Sequence, residues 1–218
     1  MTADVLEINP LKPERKKINY ASSVLKRGGM VIFPTDTVYG IGVCANKKDG
    51  IKDIYRVKKR SKAKSIIVLI CHKQDVNKFA AHVPEGTKKL MKTFWPGALT
   101  IVFKAKNNKK YGIMSDTIGI RMPANKIALS LIRKTGPLAT SSANISGEQS
   151  VNSAGALSAR LKRRVNMIIN GGKSLYGRES TIIDATTQTF RVLREGAIKK
   201  EELSAFAEAP PTPPISRG

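Results

Sequence analysis

The residues whose types and spacing suggest chemistry begin at Thr35, Asp36 and Thr37. They follow the apolar run Met30–Phe33 and the strand-ending Pro34. About one helix further on comes a dense basic run: Lys58, Lys59, Arg60, Lys62 and Lys64. A hydroxyl-rich turn, with cations carried between a helix and a strand, makes a pocket for an anion. Other polar groups fall where apolar runs end: Arg121 after TIGIR, Ser142 and Asn144 after Leu138–Thr140, Ser180 before Ile182-Ile183, and Arg194. If these strands share one sheet, their ends converge on a cleft that is positive, lined by hydroxyls and poor in acids. A nucleoside triphosphate and a small carboxylate are the ligands that suit it. Nothing matches the Walker pattern, and no G-x-G-x-x-G follows a strand.

The rest of the composition narrows the classes. The chain of 218 residues carries 39 Lys+Arg against 16 Asp+Glu, a net charge of +23, which favours polyanionic partners such as nucleotides and nucleic acid. Cys44, Cys71, His72 and His82 do not have zinc spacing, so no metal site is expected. Both cysteines sit in apolar surroundings and read as core thiols without a disulfide. Neither histidine lies in a hydrolase-like context. No apolar run approaches the ~18 residues of a membrane span, and the start MTADVLEINP lacks a signal region. A cytoplasmic protein is the expectation.

These residues must be positioned by an alternation of helices and strands. Residues 14–27 read as a helix with Ile18, Ala21, Ser22 and Leu25 inward, stopped by Gly28-Gly29. Residues 48–58 read as a second helix, with Lys58 ending the face that Ile51 begins. Further helices are expected at 82–93, 125–134 with Asn125 near its cap, 154–165, and 199–208. Strands are expected at 30–33, 65–70, 99–103, 117–121, 138–140, 167–169, 182–184 and 190–194. Residues 104–110 read as an exposed loop. Phe94-Trp95-Pro96-Gly97 reads as a turn with an aromatic anchor, and Tyr39 as packing. The pattern is one α/β domain of roughly seven strands and five helices over 14–200. Residues 201–218 hold a short helix and a Pro-rich, disordered tail.

Seven segments together resemble the YrdC-like family of threonylcarbamoyl-AMP synthases: PTDTVYG at 34–40, Lys-x-Arg at 58–60, WPGALT at 95–100, GIRMP at 119–123, SANISG at 142–147, GGK…G-x-EST at 171–181 and LREG at 193–196. The resemblance runs from about Ile18 to Ile198 and is to the short, single-domain form. It implies a twisted mixed sheet with flanking helices and a large electropositive cavity. It also implies a nucleotidyltransferase that makes threonylcarbamoyl-AMP and pyrophosphate from L-threonine, bicarbonate or CO2, and ATP, for threonylcarbamoyladenosine modification of tRNA. On this reading Lys58 and Arg60 are catalytic. ATP falls to Lys58, Arg60, Lys64, Thr117, Ser142, Asn144 and Arg194, and threonine to Thr35, Thr37, Arg121, Ser142 and Ser180. Mg²⁺ arrives with ATP, held by phosphates and water. The protein is expected to act as a monomer and hand its product to tRNA and a threonylcarbamoyltransferase machinery, with no membrane. Lys64, Leu69, Asn125 and Asn170 stand where relatives often have Asn, His, His and Asp. The competing readings are a non-catalytic module binding tRNA or double-stranded RNA, motivated by the charge and by Arg160–Arg164, and carbamoyl transfer as in hydrogenase-maturation relatives.

Overall fold

Short apolar segments joined by amphipathic helices gather, in the computed structural model, into one ten-stranded mixed sheet. The structure describes residues 3–61, 65–107, 111 and 115–206. Among them the strands are β1 (Asp4–Glu7), β2 (Val31–Phe33), β3 (Gly40–Cys44), β4 (Ile67–Leu69), β5 (Leu99–Lys104), β6 (Thr117–Arg121), β7 (Leu138–Ser142), β8 (Met167–Asn170), β9 (Thr181–Asp184) and β10 (Arg191–Arg194). The helices are α1 (Arg15–Lys26), α2 (Lys48–Lys58), α3 (Glu85–Phe94), α4 (Lys126–Thr135), α5 (Ala159–Lys162) and α6 (Lys200–Ser204), with a 3-10 segment at Lys73–Lys78. The strand order is β1-β8-β2-β3-β7-β4-β6-β5-β9-β10. The pairs β1/β8, β2/β8, β4/β6 and β5/β9 are parallel, and the rest antiparallel. No helix of the described residues is long and apolar enough to cross a membrane.

The two faces of this sheet have different fates, and the period of two along each strand decides which residue meets which. Ile32, Ile41, Val43, Ala139, Val68, Ile118, Ile120, Ile101, Phe103 and Ile183 point to one side. There they join Ile51 and Ile54 of α2 and Leu90 and Met91 of α3 in the larger core. On the other side Val31, Phe33, Cys44, Leu138, Met167 and Ile169 pack with Ile18, Ala21 and Leu25 of α1 and Ile127, Ala128, Leu131 and Ile132 of α4. These two helices cover only part of that face. The register continues it through Thr140, Ile67, Gly119 and Val102, where no helix among the described residues lies on top.

The sequence-based expectations hold for most elements and fail at particular places. Two strands form beyond the eight ranges expected, β1 and β3. β1 is a mostly exposed four-residue edge strand without alternation, and β3 reads GIGVC, whose glycines hide a strand. Gly42 is required there: a Cβ would lie 2.9 Å from both the Phe33 ring and Thr140 Cγ2. The helix expected at 82–93 starts at Glu85, because Pro84 disfavours helical backbone at Val83. The helix expected at 154–165 shrinks to Ala159–Lys162. Its apolar positions Ala154, Leu157, Leu161 and Val165 are buried as the spacing predicts. Gly155 weakens the first turn, and the Ser158 side chain accepts from Leu161 N, starting the helix late. Asn125 caps α4 as expected, accepting from Ala128 N at 3.0 Å. Cys44 and Cys71 are free and buried, and burial raises both thiols. Trp95 is buried and donates to Leu99 O at 2.7 Å, consistent with an anchor. The tail from residue 207, and residues 108–110 of the expected loop, lie outside the described residues.

Gly196, just beyond β10, fixes how this edge meets the rest. A Cβ there would collide with the backbone of Glu179 and Ser180, while Gly196 N donates to Thr181 Oγ1 at 2.9 Å. Gly196→Ala is therefore expected to destabilise the fold by about 1–3 kcal/mol or more, read as a lower urea midpoint. An unchanged midpoint would show that the turn relaxes without cost.

Candidate functional site

The uncovered part of the sheet face is the floor of a cavity of about 400 Å³. Its floor alternates along β4, β5 and β6, with Ile67 and Leu69, Thr100 and Val102, and Thr117, Gly119 and Arg121, and continues on β7 with Thr140, Ser141 and Ser142. Thr35, Thr37, Arg60, Glu179, Ser180 and Arg194 close the sides. The site is thus a sheet face with walls, not the row of strand ends expected from the sequence. Thr100, Thr140 and Glu179 were missed. Thr100 had a signal, a lone hydroxyl inside the apolar run Leu99–Phe103, and Thr140 opens the hydroxyl run Thr140-Ser141-Ser142, while Glu179 had none apart from its place beside Ser180.

One corner is built around Arg121. Arg121 is 5% exposed. It donates from Nε to Gly97 O at 2.9 Å, from Nη1 to Thr37 Oγ1 at 2.7 Å and from Nη2 to Asp36 Oδ1 at 2.5 Å. Arg121 therefore pairs with a buried acid of the leading motif. Thr35 Oγ1 donates to Val38 O at 2.6 Å and accepts from Thr37 N at 3.2 Å, so this hydroxyl shapes the turn. The turn is tied from outside by Tyr176 N, which donates to Asp36 O at 2.9 Å. Ser180 Oγ lies 2.8 Å from Thr100 Oγ1, and both residues are buried. A fixed cation flanked by hydroxyls suits a carboxylate with a polar side chain.

A second corner comes from the end of α2. Lys59 adopts left-handed backbone, φ 52°, and ends the helix. The cations on either side of it then take different directions. Lys58 is 1% exposed and turns inward. Its Nζ donates to Ser142 O and, at 2.9 Å, to Asn144 Oδ1, while Ser142 Oγ donates to Asn144 Oδ1 at 2.6 Å. Burial, then the charge of Arg60, pushes the Lys58 ammonium down to about 8. Arg60 turns to the cavity, with Nη2 donating to Ser65 O at 3.0 Å, and burial lowers it too. The structure therefore separates two residues expected to act alike. Arg60 and Ser142 line the cavity, whereas Lys58 and Asn144 stand behind Ser142.

The remaining wall is Arg194, which donates from Nη2 and Nε to Ser180 O at 2.9 and 3.3 Å and pairs through Nη1 with Glu179. Glu179 Oε1 also accepts from Ser150 Oγ at 2.6 Å. Thr117 also lines the cavity. Lys64 lies outside the described residues.

Comparison with known proteins places the sequence and the fold. A model of the Sua5/YciO/YrdC family, described as telomere recombination, matches residues 23–196. The chain belongs to the Sua5/YciO/YrdC family. It is 37% identical over 193 residues to a Bacillus subtilis protein named threonylcarbamoyl-AMP synthase, covering 87% of this chain and 56% of that protein. The chain thus spans little more than half the length of that relative. Pyrococcus abyssi Sua5, solved in complex with L-threonine, superposes with a TM-score of 0.85 at 34% identity, covering 93% of this chain and 60% of that one. Escherichia coli YciO superposes with a TM-score of 0.80 at 27% identity, covering 89% and 96%.

Within this Sua5/YciO/YrdC chain, two of the four departures have structural work. Asn125 is the α4 cap. Asn170 braces the turn after β8, accepting from Gly172 N at 3.2 Å and donating to Glu7 Oε1 at 2.9 Å. Tyr39 belongs to the same brace, its hydroxyl donating to Gly172 O at 2.6 Å. Leu69 gives the cavity an apolar wall beside Arg121, its neighbour in register.

The buried Lys58 has a pH signature. Its folded value, about 8, lies below the ordinary 10.5, so between these values the unfolded chain binds more protons than the folded one. Stability from this group therefore rises as pH climbs from about 8 towards 10.5. Urea melts of wild type and Lys58→Met across this window are expected to differ by a positive slope in the wild type. Parallel curves would show that the ammonium is not held in a desolvated site.

Proposed function

We propose that the chain is an L-threonylcarbamoyladenylate synthase, joining L-threonine, bicarbonate or CO2, and ATP into threonylcarbamoyl-AMP with release of pyrophosphate. The observation that carries this is one cavity lined by three arginines, Arg121 fixed in the buried turn and Arg60 and Arg194 close enough on its walls to feel each other's charge. Family membership, the name of the Bacillus relative and the threonine complex of the Pyrococcus relative support it. Arg121 takes the threonine carboxylate, with Thr37 and Ser180 orienting the side chain and Thr35 shaping the turn. The substrate amine captures CO2 as a carbamate, whose oxygen attacks the α-phosphate as pyrophosphate leaves. The nucleophile belongs to the substrate, so the protein's part is positioning and charge stabilisation. Arg60 and Arg194 grip the phosphates, Thr117 and Ser142 contact the nucleotide, and Lys58 acts through Ser142 and Asn144 as a positioning residue.

The described residues hold no group of three or more His, Cys, Asp or Glu that would cage a metal. Glu179 is the carboxylate on the cavity wall among them. That donor set fits Mg²⁺ carried by phosphates and water, which neutralises charge on the triphosphate. A cytoplasmic monomer passing its product to a tRNA-modifying transferase completes the proposal.

Purified protein with Mg²⁺ and ATP is expected to release pyrophosphate only when both L-threonine and bicarbonate are present. No release under these conditions overturns the proposal, and salt-steep tRNA binding without turnover would favour the RNA-binding module. Arg60→Ala should lower kcat/KM for ATP by about 10²-fold or more with an unchanged melting temperature. Preserved turnover removes Arg60 from the site.

A further inference from the structure

Among the described residues lining the cavity, Glu179 is the single carboxylate, alongside Arg60, Arg121 and Arg194. It sits at the phosphate end, paired with Arg194, and its side chain is 34% exposed. Two facts separate it from an ordinary surface pair. Arg194 does not need Glu179 to hold its place, because Nε and Nη2 both donate to Ser180 O. Glu179 in turn is held independently, by Ser150 Oγ at 2.6 Å. A carboxylate fixed from behind therefore remains beside the cations when a ligand arrives. Its charge also bears on Lys58 and Arg60, partly offsetting the burial that lowers both. A polyphosphate that comes to Arg60 and Arg194 must come close to this negative group.

We propose that Glu179 makes triphosphate binding conditional on a divalent cation: its fixed carboxylate repels metal-free triphosphate and admits the cation-complexed form. The inference rests on the nucleotide reading above. Like charges brought together at a partly desolvated wall oppose binding, and a cation on the phosphates removes that opposition. A purely structural ion pair would tie Arg194 in place and leave the metal dependence of binding alone.

The test is calorimetric binding of ATP to the whole chain at fixed ionic strength, once with excess EDTA and once with MgCl2. Glu179→Gln is expected to tighten metal-free ATP by about fivefold or more while changing the magnesium complex by less than about twofold. The ratio of the two affinities therefore collapses. Ser150→Ala, which keeps the charge, should preserve most of the wild-type ratio and separates charge from hydrogen bonding. An unchanged ratio in Glu179→Gln overturns the inference, as does equal loss in both conditions, which would make Glu179 a brace for Arg194. Selective loss of the magnesium complex also overturns it, in favour of direct ligation of the cation. If wild type binds ATP in neither condition, the nucleotide reading itself falls, and this inference with it.

Discussion

A guanidinium taken out of water must be answered by charge and by hydrogen bonds, and the site depends on how Arg121 is answered. Three parts of the chain converge on it: the turn after β2 through Asp36 and Thr37, the turn after α3 through Gly97 O, and β6, which carries Arg121 itself. Both members of the Arg121–Asp36 pair are buried. Removing one partner from such a pair costs about 3–5 kcal/mol, because the other charge is left uncompensated, whereas an apolar replacement of both is often no worse. Stability alone therefore does not explain the pair. What it provides is a cation locked in one orientation at the cavity wall, and a turn that must close over β6 rather than hang free. Asp36 Oδ2 has no hydrogen-bond partner among the described groups, which is consistent with an acid placed for the guanidinium first.

The same sheet face shows how a cavity is kept open in a folded core. Where Val31, Phe33, Cys44 and Leu138 line it, α1 and α4 close down. A fully apolar face would demand a cover along its whole length, since large bare apolar patches are an association hazard. Thr100, Thr117, Thr140 and Ser142 replace aliphatic side chains at the alternate positions beyond that cover, and Gly119 lowers the floor. The hydroxyls weaken the drive to bury the remaining surface and leave hydrogen-bonding groups for a ligand. Ile67, Leu69 and Val102 keep apolar surface between them, so the walls offer both kinds of contact.

Legibility in the sequence followed the range of the interactions. Local rules worked: the Ile18–Leu25 face, the Gly28-Gly29 stop, the Asn125 cap and the inward spacing of Ile51, Ile54 and Lys58 are all decided within one or two turns. The 154–165 segment shows the limit of periodicity, since its apolar residues are buried at the expected positions while Gly155 and Ser158 deny them a continuous helix. β3 was hidden because Gly42 is explained only by the Phe33 ring and Thr140, which lie on other strands. Motif positions located most of the cavity wall: Thr35, Thr37, Arg60, Arg121, Ser142, Ser180 and Arg194. They did not reveal that Asp36 answers Arg121, or that Glu179 stands among the arginines. Both facts are contacts between distant segments, and a composition with few acids pointed away from the second.

The spacing Lys58-x-Arg60 is the clearest case where backbone conformation assigns roles. On a continuing helix, residues two apart point in different directions, and neither Lys58 nor Arg60 would be directed to a common loop. The left-handed turn at Lys59 ends α2 instead, so that Lys58 remains on the buried helical face and Arg60 departs along the cavity wall. Lys59 is the non-glycine residue with positive φ among those described, and such a backbone is uncommon outside glycine. The strain is offset by the C-terminal hydrogen bond of Arg60 N to Tyr55 O at 2.9 Å. An inward ammonium then organises the loop after β7, binding Ser142 O and Asn144 Oδ1, while the outward guanidinium stays beside the cavity. A lysine suits the first task, because its flexible stem reaches several acceptors as a point charge. An arginine suits the second, because its planar fork matches phosphate oxygens. Exchanging the two would put the wrong geometry in each place while leaving the net charge unchanged, so charge alone does not describe this pair.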